Sequence, residues 1–253
     1  MKVFPQIGVG TVHRGLVLAA GNGDRFKNGS GESKLLQPVL GQPLILRTLQ
    51  AARAAGLTAV HVVLGYSAGA VRAVIEAGRP AGLAVHFLHN PDWHLENGVS
   101  VLTANTALRN RRFALLMGDH LFEARVLARL LHTPTEPGAS LLAVDSRPAS
   151  PAIVAEATKV RLAGSRITAI GKQLSPHHAL DTGMFVCDPS LFDALDAAVA
   201  AGDTTLSGGI RRLADQGAMR AVDVGSTAWF DIDTLDDLAT AESQLSDARA
   251  QAV

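Results

Sequence analysis

Short apolar runs recur along the first 145 residues, each followed by a stretch whose apolar positions keep helical spacing. The runs at 16–20, 59–64, 83–88, 113–117 and 140–144 are nearly continuous in Leu, Val, Ala, Phe and Met, the signature of strands covered on both faces. Between them, 44–55, 69–77, 100–108 and 124–131 place apolar residues three or four apart and read as helices. Strand and helix in alternation predict an α/β domain: a doubly wound, mostly parallel sheet with helices on both faces. After Pro151 the rhythm changes. Two strand-like runs, 155–162 and 166–171, are separated by Gly164-Ser165, a hairpin signal, so a small antiparallel lobe is expected over about 150–187. A strand at 221–224 and an alanine-rich helix at 235–250, with Asp236 and Asp237 in its first turn, complete a single domain over 1–253, of which 1–14 form an N-terminal extension.

Composition narrows the class. A chain of 253 residues that is 47% hydrophobic can bury a full core. Lys plus Arg and Asp plus Glu both number 23, so no global field draws the chain to nucleic acid or an acidic membrane surface. Any charged ligand must be held by local charge. The single Cys187 excludes an intramolecular disulfide and fits a reducing compartment as a small buried residue. The opening residues lack the apolar core of a secretory signal, and no run approaches a membrane span of roughly 20 residues, so a cytoplasmic location without membrane insertion is expected. No paired-cysteine or H-x-x-x-H zinc spacing is present. With aromatics at 4%, Trp93 and Trp229 are expected to pack in the core or at its rim rather than to stack on bases.

Chemistry concentrates where the first strand breaks. Residues 15–34 read GLVLAAGNGDRFKNGSGESK, in which Gly21 and Gly23 let backbone amides approach an anion while Arg25 and Lys34 supply positive charge. The spacing fits neither the P-loop nor the dinucleotide-binding fingerprint. Leu115-Leu116-Met117-Gly118-Asp119-His120 is an apolar strand delivering Asp119 at its carboxyl end, either as a magnesium ligand or as a helix cap. In Trp229-Phe230-Asp231-Ile232-Asp233-Thr234, alternation sends Asp231 and Asp233 to one face, where they can share a cation; Asp233 or Thr234 also suits a helix N-cap. His120 can touch a ligand or simply pack.

The loop L-A-A-G-x-G-x-R-F, a lysine, and then Pro38-Val39, Gly41 and Pro43-Leu44-Ile45 resemble the sugar-phosphate nucleotidyltransferases of MobA-like type. Ser33 and Leu35 frame Lys34 where that family often has proline. The resemblance implies that Leu18, Ala19, Ala20, Gly21, Asn22 and Gly23 line a nucleoside triphosphate, that Arg25 and Lys34 are catalytic, and that Asp119 and Asp233 hold Mg2+ with Asp231 close by. The stretches 117–120, 156–160, 170–172 and 181–183 in addition resemble the CTP:inositol-1-phosphate cytidylyltransferases, over about 15–245. By that likeness Asn97, Gly98 and Ser100 lie by the nucleobase. Lys159 and Lys172 then meet the acceptor phosphate, and Glu156, Asp181, Thr182 and His120 contact the rest of the acceptor. The expected partners are CTP and inositol 1-phosphate. Another phosphorylated alcohol, sugar 1-phosphate or phosphonate as acceptor, and a nucleotide-binding module without turnover, stand as alternatives. A glycosyltransferase is disfavoured, because it has no use for Arg25 in this loop.

Overall fold

The computed structural model describes residues 12–23, 26, 32–148, 151–225 and 227–251. Arg25 and most of the expected N-terminal extension lie outside the described residues. The strands are β1 (Arg14–Ala19), β2 (Pro38–Val39), β3 (Gln42–Pro43), β4 (Ala59–Leu64), β5 (Ala84–His89), β6 (Phe113–Met117), β7 (His120–Phe122), β8 (Ser140–Asp145), β9 (Lys159–Ala163), β10 (Arg166–Gly171), β11 (Ala179–Cys187), β12 (Met219–Asp223) and β13 (Trp229–Asp231). The helices are α1 (Leu44–Ala54), α2 (Ala68–Gly78), α3 (Asn97–Leu102), α4 (Asn105–Leu108), α5 (Ala124–His132), α6 (Pro151–Glu156), α7 (Ser190–Ala200), α8 (Leu206–Asp215) and α9 (Leu235–Gln251).

Among the described residues the main sheet runs β5-β4-β1-β6-β11-β8-β12-β10-β9. The pairs β5–β4, β4–β1, β1–β6 and β8–β12 are parallel, whereas β11 runs against both β6 and β8. Alternation along β1 divides the core in two. Val17 and Ala19 pack under α1, α2 and α5, while Leu16 and Ala20 face the side covered by α3, α7 and α8. A smaller cluster of Val39, Leu44, Leu121, Ile232 and Ala241 seats α9 against the β2–β3 turn.

The hairpin is present, with Gly164 at φ +62 between β9 and β10, and Arg166 of β10 pairs with Arg220 of β12. The antiparallel part is therefore an extension of the main sheet's edge rather than a separate lobe. The run expected as a strand from 155 begins as helix α6, with Pro151 at its first residue, where a missing N–H costs nothing. The strand itself starts at Lys159.

Chain order reverses between β1 and β6: β1 leads outward to β4 and β5 on one side, and β6 leads to β11 and β8 on the other. Open α/β sheets bind ligands in the crevice outside the carboxyl ends of such neighbours. Gly118 narrows this one, since a Cβ there would stand 2.7 Å from the Leu18 carbonyl oxygen. Its own N–H donates to that oxygen at 2.8 Å, which brings Asp119 beside the end of β1.

Candidate active site

Lys34 opens a short 3-10 turn, Lys34–Leu36, capped by Ser33, whose hydroxyl accepts from the Leu35 N–H. Its aliphatic stem runs past Gly23, where a Cβ would stand 3.1 Å from Lys34 Cγ, and Gly23 itself takes φ +64. Both properties call for glycine at that position. The ammonium reaches the crevice with only 8% of the residue exposed and lies 2.7 Å from Asp119 Oδ2 and 2.7 Å from Asp233 Oδ1. Burial alone would lower its pKa; the Asp119 and Asp233 carboxylates more than reverse this and hold the group charged, above the usual lysine range.

Asp233 is delivered by the start of α9. Thr234 acts as the cap: Asp237 Oδ2 accepts from the Asp233 N–H, the Thr234 N–H and the Thr234 hydroxyl, and the Asp237 N–H returns to Thr234 Oγ1. This reciprocal box fixes the turn and leaves the Asp233 carboxylate directed at Lys34. Two residues earlier, β13 pairs with β7 so that Asp231 stands opposite His120. His120 Nε2 is 3.3 Å from Asp231 Oδ1 and 3.9 Å from Asp119 Oδ1, and Nδ1 is 3.2 Å from the Thr182 carbonyl oxygen. Burial works against the imidazolium, yet Asp231 first, then Asp119 and the Thr182 carbonyl, raise its pKa to about 9.

Asp119 is thus the hub. One oxygen shares Lys34 with Asp233, and the other faces His120 and Asp231. Oxygen donors already converging on single positive centres are the chemistry a hard divalent cation takes, so the donor set fits magnesium. Asp119, His120 and Asp231 bring ligand atoms within 4.8 Å of one another, a grouping that adds His120 and Asp231 to the expected Asp119, while the expected Asp233 meets Asp119 through the Lys34 ammonium.

A cavity of 580 Å³ opens from this cluster, bounded by Asp119, His120, Asp231, Asp233, Glu156, Lys172, Asp181 and Asn97 among others. Apolar walls come from Met117, Phe185, Ile153, Leu206, Ile210 and Trp229. Burial pushes the Asp181 carboxyl up to about 6, with the Gly183 N–H and His120 opposing the rise. Gly183 has φ +74, and a Cβ on it would fall 2.3 Å from the His120 ring.

Several expected contacts are engaged elsewhere. Thr182 is 1% exposed, and its hydroxyl donates to the Ala143 carbonyl at 2.8 Å, so it serves the sheet rather than the cavity wall. Lys159 donates to the Ala155 carbonyl at 3.1 Å and is not among the cavity residues. Asn97 borders the cavity while its Oδ1 accepts from the Leu206 N–H, tying α3 to the start of α8. Gly98 is needed for that approach, since a Cβ would meet the Thr204 carbonyl oxygen at 2.6 Å. Ser100 is buried and accepts from the Asn90 side chain at 3.0 Å. Leu18 and Ala19 end β1, and Ala20, Gly21, Asn22 and Gly23 follow it, with Gly23 against the Lys34 stem. Sequence reasoning passed over Asp237, Thr240 and Gln244, which face the cavity from α9. Their spacing of three and four residues after the D-x-D pair is the signal that could have found them.

Residues 15–222 match the family model of the MobA-like NTP transferase domain. The bifunctional IPC transferase and DIPP synthase of Rubrobacter xylanophilus is 36% identical over 232 residues, covering 90% of this chain and 51% of that protein. The CMP-5'-(3-aminopropyl)phosphonate synthase of Streptomyces rubellomurinus is 36% identical over 139 residues, 54% of this chain and 21% of that protein. Among solved structures, the inositol-1-phosphate CTP transferase from T. maritima superposes with a TM-score of 0.81 at 23% identity, covering 94% of this chain and 96% of the other, which establishes a shared fold. The chain spans about half the length of the bifunctional relatives it matches.

Proposed function

The chain belongs to the MobA-like NTP transferase family, and from there we propose that it transfers CMP from CTP to inositol 1-phosphate, releasing pyrophosphate and giving CDP-inositol. One observation carries the reading: Lys34, Asp119 and Asp233 meet between the glycine loop of β1 and a cavity that holds Lys172, Glu156 and Asp181. Triphosphate chemistry on one side and a polar, acceptor-sized space on the other is the arrangement nucleotidyl transfer needs. Identity with a relative named for IPC transfer supports the choice of nucleotide and acceptor.

An oxygen of the acceptor phosphate attacks the α-phosphorus in line, the bond from that phosphorus to the bridging oxygen breaks, and pyrophosphate departs with the electron pair. A phosphate monoester is largely dianionic near neutral pH, so no side chain has to remove a proton. Catalysis then consists of orientation and charge neutralisation. Lys34 holds its charge where the triphosphate meets Asp119, and Arg25 of the same loop adds to it. Lys172 offers a point charge to the acceptor phosphate, and Asp181 accepts from its hydroxyls. Magnesium held by Asp119 with Asp233 and Asp231 would supply further neutralisation of the phosphate oxygens.

The test is pyrophosphate release with magnesium, crossing CTP, UTP, ATP and dTTP against inositol 1-phosphate, glucose 1-phosphate, phosphocholine and 2-aminoethylphosphonate. CTP with inositol 1-phosphate is the expected productive pair; turnover confined to another pair refutes the substrate assignment, and none at all favours a binding module. The second reading is an aminoalkylphosphonate acceptor, which the Streptomyces relative and the carboxylates of Asp181, Asp231 and Asp237 in the cavity favour.

A further inference from the structure

Trp229 stands in the cavity wall with its indole pinned by a buried carboxylate. The ring N–H donates to Asp145 Oδ2 at 3.1 Å, and Asp145 Oδ1 accepts from the Arg147 backbone N–H at 2.8 Å. Asp145 ends β8 and is 4% exposed; Trp229 is 9% exposed, at the cavity. Withdrawing a carboxylate from water is unfavourable by several kcal/mol unless its oxygens are hydrogen-bonded. Here both oxygens meet neutral N–H groups, one of them the indole, so what the arrangement secures is the plane of the ring. Alternation along β13 puts Trp229 and Asp231 on the same side, and the His120 ring lies 6.5 Å from the indole, centroid to centroid. One short ribbon therefore presents a flat apolar surface next to a carboxylate and a histidine.

We propose that Trp229 is the platform on which the acceptor's ring lies, selecting a cyclic polyol phosphate over a linear one, and that Asp145 is the positioning residue that holds it. The proposal rests on the reading of the cavity as the acceptor site and deepens it. A six-membered polyol carries C–H bonds on its faces and hydroxyls around its edge. The faces suit an aromatic plane, and the edge suits Asp231, Asp181 and His120. Glycerol 3-phosphate has the same phosphate charge and two hydroxyls but no such face. Trp229, expected from composition to be core or rim packing, takes on this second role because it borders the cavity and because of what holds its N–H.

The experiment is steady-state pyrophosphate release with inositol 1-phosphate and glycerol 3-phosphate, or with the ring and linear members of whichever acceptor class turns over, so a different substrate would move the proposed function and leave this comparison intact. Asp145→Ala is expected to raise KM for the ring acceptor about tenfold, the upper range of one aromatic contact, with kcat and KM for the nucleotide unchanged. Asp145→Asn keeps an acceptor oxygen for the indole and should restore KM. In a Trp229→Phe background, Asp145→Ala should add nothing, since phenylalanine has no N–H to hold. An unchanged KM in folded Asp145→Ala, or an equal loss on glycerol 3-phosphate, overturns the proposal. Independently of whether Asp145→Ala folds, a Trp93→Phe protein reports Trp229 alone, the chain having no other tryptophan. Its fluorescence should titrate with the ring acceptor, and no response would equally overturn the proposal.

Discussion

Replacing Lys34 by methionine keeps most of the buried stem and removes the charge. In the native protein the ammonium sits 2.7 Å from two carboxylates at once. At an effective dielectric constant of about 20, each such pair attracts by roughly 6 kcal/mol before desolvation is subtracted. Breaking a buried pair by deleting one partner typically costs about 3–5 kcal/mol, because the remaining charge is left uncompensated. Asp119 and Asp233 keep side-chain exposures of 25% and 19%, so water relieves part of this and a loss of about 3 kcal/mol is expected. The sign with pH follows from the raised folded-state pKa: the contribution is fully present below the ordinary lysine value of 10.5 and is lost only above it, so pH 7.5 reports it whole. Urea unfolding in EDTA gives the stability difference. Repeating it with magnesium should shrink the deficit, since a divalent cation can take the place of the missing ammonium between Asp119 and Asp233. Turnover should fall by roughly a hundredfold or more. A stability loss under about 1 kcal/mol in EDTA, or one that magnesium leaves untouched, would refute the reasoning.

Asp181→Asn tests the cavity's buried carboxyl. Its folded-state pKa of about 6 lies above the ordinary 3.8, so the native state binds the proton more tightly and stability declines as pH rises through that window. At pH 7.5 the variant should be more stable by up to about 3 kcal/mol, with most of that gain gone by pH 4, while acceptor KM rises; chemical unfolding at both pH values checks the first part. Gly98→Ala puts a methyl 2.6 Å from the Thr204 carbonyl oxygen and should destabilise by about 1–3 kcal/mol in the same measurement. Asp119→Asn touches both halves of the cluster and should lower turnover at least a hundredfold and weaken Mn2+ binding, read as a larger free-Mn2+ signal in electron paramagnetic resonance; retained turnover removes Asp119 from catalysis.

The parallel strands were legible because β1, β4, β6 and β8 are built on nearly continuous apolar runs. β11 was not, although it joins the two halves of the sheet. Its first residues, Ala179-Leu180-Asp181-Thr182-Gly183, break the apolar run, and their polarity is satisfied only in the fold: Asp181 accepts from the Gly183 N–H and Thr182 donates to Ala143. The register with β8 shifts between Asp181 and Phe185, another feature that periodicity does not announce. Chemistry-bearing residues were readable where a motif carried them, as at Asp119, Asp233 and Lys34. The ion pairing of Lys34 with both carboxylates was not, because Lys34 and Asp233 are 199 positions apart in the chain. The same holds for Asp145 and Trp229, 84 positions apart, where neither residue's neighbours in sequence mention the other.

The most direct test of nucleotidyl transfer to a phosphorylated polyol is phosphorus NMR of the wild-type protein with CTP, magnesium and inositol 1-phosphate. The expected spectrum loses the three CTP resonances and the acceptor monoester while gaining pyrophosphate and a coupled pair from a new diphosphate diester. CTP left intact with this acceptor, or converted to CMP and pyrophosphate without the diester, would contradict the account.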